Sequence, residues 1–264
     1  MKDLILLVKT EILREFISLK RYPIETISGL CITGLFFMVL LFSAKMMAGK
    51  LPLGFEDTTK GIMIGYLIWL LTTSSIQIMS NEVSEEEITG TMEQVYISPA
   101  GPICLLLSRS IVGLLSSVMA LPIIFYLLQI LTGVYLDFNF LSILPILVLT
   151  FIGLCGFGFI LAGITLIFKR IDIFLSLIPI ALLGLAMLPV EALPSKFQVL
   201  ALGFPLTQGV KLARCILLEG QSFIILLNEI FYLGLISIFY LSIGIFGYNL
   251  SDKIARDKGL LGYY

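Results

Sequence analysis

From Phe138 to Phe168 the chain carries no charged residue, and five further stretches are almost as apolar: Thr26–Ala44, Gly61–Ser80, Ser110 to about Leu131, Ile173–Val190 and Phe223–Leu250. Each approaches or exceeds the ~20 residues an α-helix needs to cross the hydrocarbon core of a bilayer. Lipid offers the backbone no hydrogen bonds, so such runs are confined to helix. Overall, 58% of the residues are hydrophobic and 13% charged. A soluble domain carries about 25% charge, and half that density cannot clothe one core in a solvated surface. The pattern predicts an all-α integral membrane protein of six transmembrane helices. It excludes a soluble enzyme and a disordered chain. With 17 Lys+Arg against 18 Asp+Glu, no strong field draws in a polyanion, so no nucleic acid is expected as a partner.

Two absences narrow the chemistry. There is no histidine, which removes imidazole acid–base catalysis and most zinc sites. There is no G-x-x-x-x-G-K-[ST] phosphate loop, since Gly49-Lys50 continues into Leu51-Pro52; the chain does not bind and split ATP in the P-loop manner by itself. Cys31, Cys104, Cys155 and Cys215 are far apart and read as small packing residues.

An even number of spans puts both termini on one side. Lys2, Lys9, Arg14, Lys20, Arg21, Arg109, Lys169, Arg170, Lys253, Arg256 and Lys258 fall on that side, against Lys45, Lys50, Lys60, Lys196, Lys211 and Arg214 opposite. The bias predicts a multi-pass protein of the cell membrane with both termini cytoplasmic. Before the first span, Ile5, Val8, Ile12, Phe16 and Leu19 line one helical face and Asp3, Glu11, Arg14, Glu15 and Ser18 the other. Residues 1–22 therefore read as an amphipathic interfacial helix ended at Tyr22-Pro23, not as a signal peptide. Gly153, Gly156, Gly158, Ala162 and Gly163 predict close helix packing around the fourth span, and Pro122, Pro145 and Pro179 sit in or near spans.

Two connections carry more information. Residues 81–102, between spans two and three, hold five glutamates and no basic residue. Gly90 allows a sharp turn, and Thr91 with Gln94 forms a T-x-x-Q capping box. Pro99 and Pro102 stop the helix that follows. The result is a two-turn helix, Met92–Ile97, with Met92, Val95 and Tyr96 on one exposed side. So short a helix is unstable alone and needs a groove to lie in; a solvated acidic connector folded onto the bilayer is the other reading. Residues 191–220, between spans five and six, are too apolar for a solvated loop. Pro194 and Pro205 divide them into two pieces that read as a re-entrant helix pair, or else as a failed seventh span. Glu229, about two turns into the last run, reads as a substrate or ion contact, as a group snorkelling to the outer interface, or as a partner of Lys211 or Arg214.

Glu86, Gly90-Thr91, Glu93-Gln94 and Ser98-Pro99 resemble the E-x-x-x-G-T-L-E-Q…S-P signature of type 2 ABC transporter permeases. Met92 replaces the usual Leu, and Ile88 stands where many members carry a second acid. Pro205-Leu-Thr with Arg214 and Gly220 resembles that family's N-P-L-T…R…G run, with Phe204 in place of Asn. The resemblance implies a single type 2 ABC transmembrane domain over residues 1–264. It implies a cytosolic coupling helix that docks on a separate ATP-binding cassette subunit through Glu86, Gly90, Thr91 and Glu93, with Met92, Val95 and Tyr96 as its apolar side. Movement there would pass to spans one, two and five. Pro205, Thr207 and Arg214 would belong to an extracellular gate. ATP and Mg²⁺ would sit on the partner, with no cofactor or metal in this chain. A second permease chain, identical or related, would complete the path for an amphipathic or hydrophobic cargo: a drug, an antimicrobial peptide or a lipid-like molecule. Membrane lipid is the remaining partner. The rival from another class is a self-sufficient channel or secondary transporter, which would show inverted repeats or broken helices. A membrane enzyme would need a nucleophile–base pair, and the carboxylate cluster of residues 82–93 has no histidine beside it.

Overall fold

The computed structural model describes residues 2–48, 55–98, 101–136, 140–168, 171–187 and 194–258. Among these there are ten helices and no strand: α1 (Lys2–Arg21), α2 (Pro23–Ala48), α3 (Phe55–Thr89), α4 (Met92–Ile97), α5 (Gly101–Thr132), α6 (Phe140–Phe168), α7 (Asp172–Met187), α8 (Ser195–Leu202), α9 (Pro205–Leu217) and α10 (Leu227–Asp257). Helices α2, α3, α5, α6 and α10 are long and apolar enough to cross a membrane. The expected fifth span is α7, whose 16 residues reach about 24 Å, short of the ~30 Å core; residues 188–190 lie outside the described part. The protein is thus an all-helical, multi-pass membrane protein with five such helices and one shorter apolar helix.

Helix α3 is longer than expected. Residues 81–89, read as the start of a loop, are its last turns. No Gly or Pro interrupts them, and glutamate is a good helix former, so nothing stops the helix before Gly90. Pro102 likewise does not end a helix but sits at the second position of α5, where its missing N–H costs nothing.

The small residues of α6 place it at the centre. A Cβ on Gly156 would collide with the Tyr240 backbone of α10, and one on Gly244 would collide with the Gly156 carbonyl. Gly158 admits Met79 of α3, Gly153 admits Pro205, and Gly163 admits Ser251. Backbones this close are how helices associate where lipid supplies no hydrophobic drive. Pro122, Pro145 and Pro179 all lie inside helices. Trp69 Nε1 donates to the Pro179 carbonyl at 2.7 Å and Tyr66 Oη to the Thr33 carbonyl at 2.8 Å, tying α7 and α2 to α3.

Helix α1 turns carboxylates inward and apolar groups outward. Glu11 bonds Arg109 and Glu15 accepts from Ser116, both on α5, while Ile12 and Phe16 are exposed. An apolar outer face with an inward polar one suits a helix lying against lipid. The cysteines are free thiols; Cys155 is buried, whereas Cys31 is exposed on α2.

Candidate functional site

The turn out of α3 is a Schellman motif. Gly90 has φ +68°, the Thr91 N–H reaches the Glu86 carbonyl at 3.0 Å, and the Gly90 N–H reaches the Glu87 carbonyl at 3.3 Å. The chain re-enters helix at once as α4. The expected capping box does not form: Thr91 makes no side-chain cap. Its hydroxyl instead shares a hydrogen bond with the Thr89 hydroxyl at 2.8 Å, and backbone bonds from the Gln94 and Val95 N–H groups to the Thr91 carbonyl, at 2.9 and 3.4 Å, close the first turn.

The inner and outer sides of α4 differ from the expectation. Met92 is 3% exposed and belongs to the core, because the turn at Gly90 folds α4 back over α3 and α5. Tyr96 also faces inward: its Oη donates to Asp252 Oδ1 at 2.5 Å, and the Arg256 guanidinium lies 4.8 Å above its ring. Burial and the Asp252 carboxylate push the Tyr96 phenol well above its ordinary range, so it stays a proton donor. Val95 is half-buried. The outward groups of α4 are Gln94 and Ile97, and Ile88 is exposed at the end of α3; Ile97 is 81% exposed. The side chain of Glu93 lies outside the described part.

Glu86 is not presented outward either. Arg109 Nη1 sits 2.7 Å from Glu86 Oε1 and 2.6 Å from Glu82 Oε2, and its Nε lies 3.4 Å from Glu11 Oε1. One arginine therefore joins α1, the end of α3 and the start of α5. In the sequence Arg109 stands out only as a topogenic charge. The signal was present: it is the only basic residue between Lys60 and Lys169, and five glutamates precede it. A cavity of about 360 Å³ opens beside this hub, lined by Arg14, Glu82, Glu85, Glu86, Gln94 and Val95 among others. Helix α4 thus touches α3, α5 and, through Tyr96, α10.

The second set lies apart. Gly61 and Glu86 are 25 residues apart on α3, or about 37 Å, so the Arg214 contact and the Arg109 hub mark opposite ends of one helix. Pro205 opens α9 at its first position and is buried against Gly153; Thr207 is buried as well. Arg214 Nη2 donates to the Ala186 carbonyl at 3.1 Å and the Gly61 carbonyl at 3.4 Å. A guanidinium at the last turn of α7 meets the negative end of that helix, and it joins α7, α9 and α3. Glu229 pairs with Lys211 at 2.9 Å rather than with Arg214. The two pieces expected between spans five and six exist as α8 and α9; residues 191–193 lie outside the described part.

The sequence model of the ABC-2 family transporter proteins matches residues 43–246, about three quarters of the chain. No curated protein matches it. The matched stretch runs from the end of α2 through most of α10 and includes α4, Glu82, Glu86 and Arg109 of the first set and Pro205, Thr207 and Arg214 of the second, while Glu11, Arg14, Asp252 and Arg256 lie outside it. The chain belongs to the ABC-2 family of transporter proteins, as the membrane permease subunit of an ABC transporter.

Proposed function

We propose that the chain is the permease half of an ATP-driven exporter. Helix α4, turned out of α3 at Gly90, docks on the cytosolic ATP-binding cassette subunit, which holds the ATP and Mg²⁺. The observation that carries this reading is the bare apolar rim of Ile88 and Ile97, 64% and 81% exposed, at the α3–α4 turn and next in sequence to Thr89 and Ser98, which line the acidic cavity. A rim of this kind suits a protein groove with basic edges. The residues that meet the partner are then Ile88, Gln94, Ile97 and Glu85, with Glu93 retained from the family signature. Gly90 and Thr91 shape the turn; Glu86, Met92 and Tyr96 hold it in place.

A second permease chain completes the path. Gln77 is exposed partway along α3, a polar amide that lipid would leave unsatisfied and a facing chain or cargo would not. The exposed residues of the described spans are otherwise apolar for most of their length, which favours an amphipathic or hydrophobic cargo over an ion. Six crossings rest on the six apolar runs, and cytoplasmic termini on the Lys and Arg bias. Pro205, Thr207 and Arg214 act as the outer closure, held shut by the α7–α9–α3 joint.

The test is association with the ATP-binding subunit in detergent, comparing Ile97→Asp with Met92→Asp. Ile97→Asp should keep the chain's thermal midpoint and weaken association at least tenfold, the usual loss on placing a charge in an apolar contact. Met92→Asp should lower the midpoint of the chain itself, because it buries an unpartnered carboxylate. Unchanged association of Ile97→Asp, or no association by the parent chain, overturns the docking role.

A further inference from the structure

Asp252 is 8% exposed near the end of a long apolar helix, and a carboxylate held there needs partners. It has them on both oxygens. Oδ2 receives Arg256 Nη2 at 2.6 Å; Oδ1 receives Arg256 Nε at 3.1 Å and Tyr96 Oη at 2.5 Å. The Arg256 side chain then covers the Tyr96 ring, adding a cation–π contact. Tyr96 and Asp252 are 156 residues apart in sequence, so nothing local brings them together. The Asp252/Arg256 spacing of four places both on one face of α10, and the Gly90 turn delivers Tyr96 to that face.

We infer that Tyr96, Asp252 and Arg256 form a latch that fastens the coupling helix α4 to α10 and passes its displacement to the far end of the molecule. The direction of travel rests on the docking role proposed above; the fastening itself does not. Helix α10 is suited to carry a displacement. It is locked to α6 where Gly244 meets Gly156 and Ser251 meets Gly163, and Tyr248, 1% exposed, packs edge-on against Phe159 at 5.8 Å. Near its other end Glu229 grips Lys211 of α9. Asp252 and Glu229 are 23 residues apart on the same helix, about 35 Å. One stiff rod therefore joins the docking helix to the helix carrying Pro205, Thr207 and Arg214.

Amide hydrogen exchange tests this in two arms. In the full chain in detergent, Tyr96→Phe keeps the ring and removes only the donated hydrogen bond. Exchange over residues 92–97 should rise about tenfold, the scale of one hydrogen bond to a charged group, and exchange over 248–257 should rise with it, since coupling is reciprocal. Asp252→Asn, which keeps an acceptor for Tyr96, should restore most of the protection of 92–97 that Asp252→Ala loses. Residues 82–86, held by Arg109, should not change. Unaltered exchange at 92–97, or an equal rise at 82–86, overturns the latch, and this arm needs no partner. In the complex with the ATP-binding subunit, a non-hydrolysable ATP analogue should change exchange at 92–97, 248–257 and 205–217 in the parent chain. In Tyr96→Phe only the change at 92–97 should remain. Persistence of the change at 248–257 in that variant overturns transmission through the latch. Failure of any subunit to bind overturns the docking role and leaves the first arm to decide the fastening.

Discussion

Gly90 turns the backbone through a positive φ in open space: a Cβ there would meet nothing within 4 Å. Its requirement is therefore conformational. Gly90→Val places a β-branched residue where it costs about 1–3 kcal/mol of backbone strain, while Gly90→Asn, which tolerates the left-handed region, should cost little. The expected outcome is a thermal midpoint in detergent lowered by a few degrees in Gly90→Val but not in Gly90→Asn, with association with the ATP-binding subunit lost only as Val. Equal loss in both would locate the need for glycine in the partner's groove instead. Arg109 is the opposite case, a residue whose surroundings define it. With three carboxylates around a largely buried guanidinium, Arg109→Ala leaves charge without compensation and should cost about 3–5 kcal/mol. Thermal unfolding checks this, and a midpoint within a degree of the parent would show that the hub is solvated and weak. The sequence held the signal for Gly90 in the residue itself. For Arg109 it held only scarcity: one basic residue facing many acids, with no way to say which of them it meets.

At the scale of elements, the runs of apolar residues marked α2, α3, α5, α6 and α10 because a membrane constrains length and composition together. What they could not mark was where α3 stops. Charge begins at Asn81-Glu82, but helix ends only at Gly90, since the backbone answers to Gly and not to polarity. The same limit holds for the side of α4 that carries Met92 and Tyr96, which faces inward. Spacing along six residues defines a face, yet the tertiary turn decides which way the face looks. The glycines of α6 were legible as contact points, though not their partner. Gly244 of α10 abuts the Gly156 carbonyl, so Gly244→Ala must push two backbones apart, whereas a Cβ on Gly247 meets nothing. Overpacking of this kind costs about 1–3 kcal/mol. Gly247→Ala should instead be neutral or gain up to about 1 kcal/mol of helix propensity. Thermal midpoints of the two variants should therefore move in opposite directions or differ clearly; a shared shift would mean the α6–α10 crossing is loose.

For the whole molecule, the family match and the fold leave one question on which only the chain's charges bear: which end would face the ATP-binding subunit in the proposed exporter. The α4 end gathers Arg14, Arg109, Lys253, Arg256 and Lys258, and the α9 end gathers Lys60, Lys196, Lys211 and Arg214. The excess is modest, and several of these are consumed in ion pairs, Arg109 with three acids and Lys211 with Glu229. Pairing does not erase their topogenic effect, because basic residues near span ends orient the chain whether or not acids neighbour them. Two exposed positions at opposite ends make the test: Ile97 on α4 and Glu219 just past α9. In intact cells a membrane-impermeant maleimide should label Glu219→Cys and not Ile97→Cys, with the parent chain as the control for its own cysteines. Ile97→Cys should label only once the membrane is opened. The reverse pattern would place α4 outside, away from any ATP. The docking role and the direction of transmission through Tyr96 and Asp252 would then fall together, while the latch as a tie between α4 and α10 would stand.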